Sequence, residues 1–232
     1  MAQSSHPLAP TRVVLISVIS LVALQLLVQI ADRFLVSGLL MESAVLRVDA
    51  AMQGQVWRLF TYGLVHSPLD PGHLIWNCIG LYFFGLDLER RFGAARFAAF
   101  LGVAVVAGGV FVVVGNLLGI SAGAALGFSA GVEACVVAWA LLHWSFPVRF
   151  NMILPITGKW LLVFAAVTWT LDATGQSPYS AAAHLGGMAV GALVVLLGRR
   201  LKLRKVMSSI GLGPQLKVVR SPGKKERDHW VQ

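Results

Sequence analysis

Four side chains in this sequence could together break an acyl bond: Ser129, His184, His73 and Asn77. A serine hydroxyl is a weak nucleophile until a base within hydrogen-bond reach takes its proton, and histidine is the usual base. The oxyanion that forms then needs donors, which His, Asn and helix-amino-terminal N–H groups can supply. Ser129 stands in Gly127-Phe128-Ser129-Ala130-Gly131-Val132-Glu133, among small residues at the opening of an apolar run. His73 and Asn77 are four apart and so share a helix face. Each residue alone has a plainer reading: Ser129 as a helix cap, His184 as an interfacial histidine, Asn77 as interhelical glue. Glu133 adds a carboxylate inside an apolar segment, where ionisable groups are expensive and mark functional sites by default.

The elements that must position these groups are membrane helices. Of 232 residues, 57% are hydrophobic and 12% charged, with a mean hydropathy of +0.75. Soluble domains carry about 25% charged residues, so the composition describes a polytopic membrane protein. The net charge of +9 would suit a nucleic-acid binder, but ten of the 19 Lys/Arg lie between Arg199 and Arg227. A basic tail after the last apolar run fits anionic lipid headgroups and topology control, which argues against nucleic acid as a partner. Cys78 and Cys135 fall inside apolar segments and read as packing residues.

Six apolar spans are predicted, at Val13–Ile30, His73–Leu88, Phe97–Leu118, Phe128–Trp144, Trp160–Leu171 and Ala181–Leu197. The first lacks a small-x-small cleavage site and reads as a retained helix rather than a signal peptide. Asp32–Gly72, with short apolar clusters broken by charges, Gly and Pro, reads as a folded external loop with interfacial helices. Residues 1–12 form a leader, 13–198 the membrane domain and 199–232 a basic tail. With six spans, 16 Lys/Arg fall on the side of both termini and only Arg33, Arg47 and Arg58 on the other. The positive-inside rule then puts both termini in the cytoplasm. The second, fourth and sixth helices consequently start at one depth below the outer surface, which is where His73, Asn77, Ser129 and His184 lie. Gly127/Gly131 and Gly187/Gly191, each four apart, read as small faces for close helix packing. Ser177-Pro178 reads as an N-cap followed by Pro at the first helical position.

From about Gln55 to Gly191 the chain resembles the rhomboid family of intramembrane serine proteases. The resemblance is carried by Trp57-Arg58, His73-x-x-x-Asn77, Glu89-x-x-x-Gly93, Gly127-Phe128-Ser129 and Ala183-His184-x-x-Gly187-x-x-x-Gly191, in that order. It implies an all-α six-helix bundle with an embedded first external loop and a water-filled cavity. It implies a serine endopeptidase with a Ser129–His184 dyad, and His73, Asn77 and the Ser129 N–H around the oxyanion. Its substrates would be transmembrane proteins, cut in or near a helix and entering past the second and fifth helices. The rival class is a non-catalytic rhomboid-like protein that binds transmembrane helices; a small-molecule transporter would need more polar residues in mid-helix. No metal or other cofactor is expected, since there is no Cys/His ligand cluster and no phosphate-binding loop. The expected location is a bacterial plasma (inner) membrane.

The sequence departs from the family pattern at three places. Ala130 follows the serine where Gly is frequent, and Ser67–Gly72 carries two prolines and is longer than usual. Glu133 occupies the place of a bulky aromatic residue that packs on the histidine. Three roles stay open for it at this point: a passive hydrogen-bonded carboxyl, a partner that orients His184, or a disturbance of the dyad.

Overall fold

The computed structural model describes residues 9–36, 38–120, 123–145, 148–150, 154–175 and 178–209. Met1–Val195 form one compact unit and Leu196–Gln232 a second, and the site lies in the first. Each predicted span coincides with a helix. The chain runs α1 (Arg12–Phe34), then the loop elements α2 (Leu39–Ala44), β1 (Leu46–Arg47), α3 (Val48–Met52) and α4 (Arg58–Thr61) with a 3-10 turn at Tyr62–Leu64. It continues through α5 (Pro71–Phe92), α6 (Ala94–Leu117), β2 (Ala124–Ala125) and α7 (Ser129–Leu142). A hairpin of β3 (Val148–Phe150) and β4 (Leu154–Ile156), which the sequence reading did not anticipate, leads to α8 (Gly158–Thr174) and α9 (Pro178–Ser209). The predicted cap Ser177 and most of the basic tail lie outside the described residues.

Among the described residues, Arg12–Phe34, Ala94–Leu117 and Pro178–Arg200 are each long and apolar enough to cross a bilayer. Their outer faces expose large aliphatic side chains, such as Ile16, Leu27 and Ile30 on α1, Val103 and Leu117 on α6, and Leu193 on α9. Such bands suit lipid, where helices satisfy all their own backbone groups. Inside, Leu21, Leu81, Leu88, Phe97, Val105, Val112 and Cys135 are fully buried, and the core they form extends to Ala165 of α8 and Ala183 of α9.

The helix ends follow from local chemistry. Pro71 opens α5 behind the Asp70 carboxylate, which accepts the His73 N–H at 3.2 Å. Gly93, at φ +81°, ends α5. Glu89, buried in the last turn of α5, reaches the start of α1 and accepts the Thr11 hydroxyl, the Val13 N–H at 3.0 Å and the Val14 N–H at 2.9 Å. A carboxylate there satisfies orphan donors and complements the helix dipole.

Close backbone approach brings α6, α7 and α9 together. A Cβ on Gly187 or Gly191 would strike the α7 backbone at Ala130 or Ala134, and one on Gly186 would strike α6 at Ala107. The predicted small face of the sixth span is therefore real. The Gly127/Gly131 pair behaves differently: Gly127 is a turn residue at φ +107°, with the His73 ring where its side chain would be, and Gly131 faces the Phe128 ring.

Candidate active site

The first loop builds the turn that presents Ser129. β1 pairs antiparallel with β2, placing Leu46 opposite Ala125 and Arg47 opposite Ala124. Two residues later the Gly127 N–H donates to the Tyr62 carbonyl at 2.8 Å, and the Tyr62 hydroxyl donates to the Val105 carbonyl at 2.8 Å. The loop itself is clamped by Arg58, which donates to the Glu42 and Val45 carbonyls, both at 2.6 Å, and to Gln55 Oε1 at 2.7 Å. Ser129 is the first residue of α7; the Gly131 and Val132 N–H groups donate to the Phe128 carbonyl at 3.0 and 3.2 Å, and the Ser129 N–H stands ahead of this first helical acceptor.

His66, which no motif in the sequence singled out, ties three segments together. Its ring is fully buried, and Nε2 meets both Asn77 Nδ2 at 2.9 Å and the Phe128 N–H at 3.3 Å. Gln25 of α1 holds its backbone at both ends: Gln25 Nε2 donates to the His66 carbonyl at 2.8 Å, and the His66 N–H donates to Gln25 Oε1 at 2.7 Å. Two donors on Nε2 put the proton on Nδ1, which is buried without a partner. Burial, with a smaller contribution from the neighbouring His73, pushes the His66 imidazole down to about 4. The His73 ring stands edge-on to it, centroids 5.2 Å apart.

Ser129, His184, His73 and Asn77 all line one cavity of about 1170 Å³. Its walls come from Trp76, Ile79, Gly80 and Phe83 of α5 and from Trp160, Leu161, Phe164 and Thr168 of α8. Among the described residues, Ser129 and His184 make no direct hydrogen bond. His184 Nε2 instead lies 3.3 Å from Ser180 Oγ, one turn earlier on α9, and its Nδ1 lies 3.1 Å from Asp172 Oδ2 of α8. Glu133 lines the same cavity with Oε2 buried and unpartnered. The carboxylate beside the imidazole is Asp172, not the Glu133 that the sequence pattern singled out. Asp172 was findable by the argument that flagged Glu133, since it too is an acid within an apolar helix. Ser180 and His66 carried no such signal.

Chemically, the cavity brings together a serine hydroxyl at the start of α7, an imidazole two helices later on α9, and imidazole and amide groups on the adjoining α5. One donor position of Asn77 is engaged by His66, leaving its amide fixed in orientation. Residues 53–201 match the Rhomboid domain. A relative, RHOMBOID-like protein 12, mitochondrial, from Arabidopsis thaliana, is 28% identical over 169 residues, covering 66% of this chain and 50% of that protein. The chain thus spans about half the length of that relative. With the ordered motifs, the helical bundle and the match over most of its length, the chain belongs to the rhomboid family.

Proposed function

We propose that the protein is an intramembrane serine endopeptidase that hydrolyses peptide bonds in or near transmembrane helices of other membrane proteins. The observation that carries this reading is the convergence of Ser129, His184, His73 and Asn77 on one cavity. Ser129 Oγ attacks the scissile carbonyl. His184 takes its proton and later gives it to the leaving amine. The Ser129 N–H, with His73 and Asn77, stabilises the oxyanion. Six spans with both termini on the cytoplasmic side would place the cavity toward the opposite face, and a substrate helix would pass between α5 and α8. The basic tail then lies against anionic lipid. Integral membrane placement follows from the family and the apolar helices; a bacterial inner membrane draws no support from the relative, whose name is mitochondrial.

The missing Ser129–His184 hydrogen bond favours a second reading, a non-catalytic binder of transmembrane helices. Catalytic hydrogen bonds are frequently long before substrate arrives, so the protease reading stands ahead. A fluorophosphonate probe on the purified protein in liposomes separates the two. The protease reading expects labelling of wild type and none of Ser129→Ala; an unlabelled wild type supports the binder.

A further inference from the structure

We infer that Asp172 is a positioning residue for His184, so that the proposed dyad works as a triad with its third member on α8. This rests on the protease reading above. Three observations converge. Asp172 Oδ2 sits 3.1 Å from His184 Nδ1, within hydrogen-bond distance, and both side chains line the cavity that holds Ser129. Asp172 stands in the last turn of α8, where a carboxylate opposes the helix dipole and the site needs a compensating partner. The same pair of helices is joined a second time, by Trp169 Nε1 donating to the Ala181 carbonyl at 2.9 Å. That strut, three residues before Asp172 on one helix and three before His184 on the other, fixes the reach of the carboxylate.

The consequence is a choice of tautomer. An ionised carboxylate only accepts, so it selects the imidazole with hydrogen on Nδ1 and a lone pair on Nε2. That lone pair is what Ser129 needs when its O–H bond breaks: the proton passes to Nε2, the oxygen bonds to the carbonyl carbon, and the carbonyl electrons move to the oxyanion. The imidazolium so formed keeps its Nδ1–H toward the Asp172 carboxylate. In the resting structure the lone pair faces the Ser180 hydroxyl, so His184 exchanges Ser180 for Ser129 as the reaction begins. Glu133 faces the same cavity with Oε2 unpartnered, and Asp172 is the carboxylate that reaches His184 Nδ1.

An asparagine at 172 can turn its NH2 toward Nδ1 and hold the opposite tautomer, with hydrogen on Nε2. The test is the kinetics of fluorophosphonate inactivation of the full chain in liposomes, resolved into a binding constant and a maximal rate. Asp172→Asn is expected to lower the maximal rate about 100-fold or more while the binding constant stays within about threefold. Asp172→Glu, which keeps an acceptor-only carboxylate, is expected to recover about a tenth of the wild-type rate or better. A maximal rate for Asp172→Asn within a few-fold of wild type overturns the inference. So does equal loss in both variants accompanied by a lowered melting temperature, which marks a structural role. A wild type that takes no probe, or a Ser129→Ala variant that still takes it, overturns the protease reading itself and is distinguishable from either result.

Discussion

At the scale of single residues, the site is defined by which serine the imidazole serves. Ser180 is the hydroxyl within reach of His184 Nε2, and Ser129 is the one that opens α7. Ser180→Ala is therefore expected to keep fluorophosphonate labelling at a rate equal to or a few-fold above wild type, because it removes a competitor for the imidazole; mass spectrometry of the wild-type adduct should find it on Ser129. An adduct on Ser180 would reverse the assignment of the nucleophile. His66 gives a second prediction. Its imidazole is held near 4 in the folded protein against an ordinary 6.5, so between these values the unfolded chain binds more protons at this site. Stability from His66 is then complete above about pH 6.5 and is lost as pH falls toward 4. The melting temperature of wild type should rise with pH across that window more steeply than that of His66→Gln, whose amide oxygen can still accept from Asn77. Equal slopes would show that His66 does not contribute.

At the scale of elements, the fold depends on two kinds of contact that sequence reveals unequally. Backbone-on-backbone packing of α9 against α7 was legible because glycines four apart are a recognisable pattern. Gly187→Ala should cost about 1–3 kcal/mol in thermal unfolding, since the new methyl meets the Ala130 backbone, whereas Gly102→Ala, with nothing nearby, should be neutral or slightly stabilising. The Glu89 cap on α1 was less legible. The motif flagged Glu89, but nothing in the spacing said that its partners lie about 75 residues earlier. Glu89→Ala should destabilise by about 1–2 kcal/mol and loosen α1, read as faster deuterium uptake at Val13 and Val14.

At the scale of the whole molecule, hydropathy located every long helix because a bilayer imposes a length and a composition on whatever crosses it. It could not locate the β1–β2 pairing, the hairpin before α8 or the contact of Asp172 with His184. Two-residue strands carry no periodicity, and the partner of a side chain on another helix depends on rotation about both axes. The positions of Ser129, His184, His73 and Asn77 were readable because topology sets depth; their hydrogen bonds were not, because depth does not set orientation. The six-span arrangement predicts that cysteines introduced singly at Ser4 and at Ser221, in a background lacking Cys78 and Cys135, react with a membrane-impermeant maleimide from the same side of sealed vesicles. Reaction from opposite sides would require an odd number of spans.

The pairing of Leu46–Arg47 with Ala124–Ala125 has a consequence for how the chain matures. The turn before Ser129 takes its shape from a strand and a carbonyl made some eighty residues and sixty residues earlier in synthesis. A chain split after Gly119 would leave Ser129, Asp172 and His184 together on the second fragment, yet that fragment alone lacks the template for the turn at Ser129. Activity should return only when the first fragment is co-expressed. During translation the same dependence keeps the turn at Ser129 from taking its final shape until the earlier loop has folded.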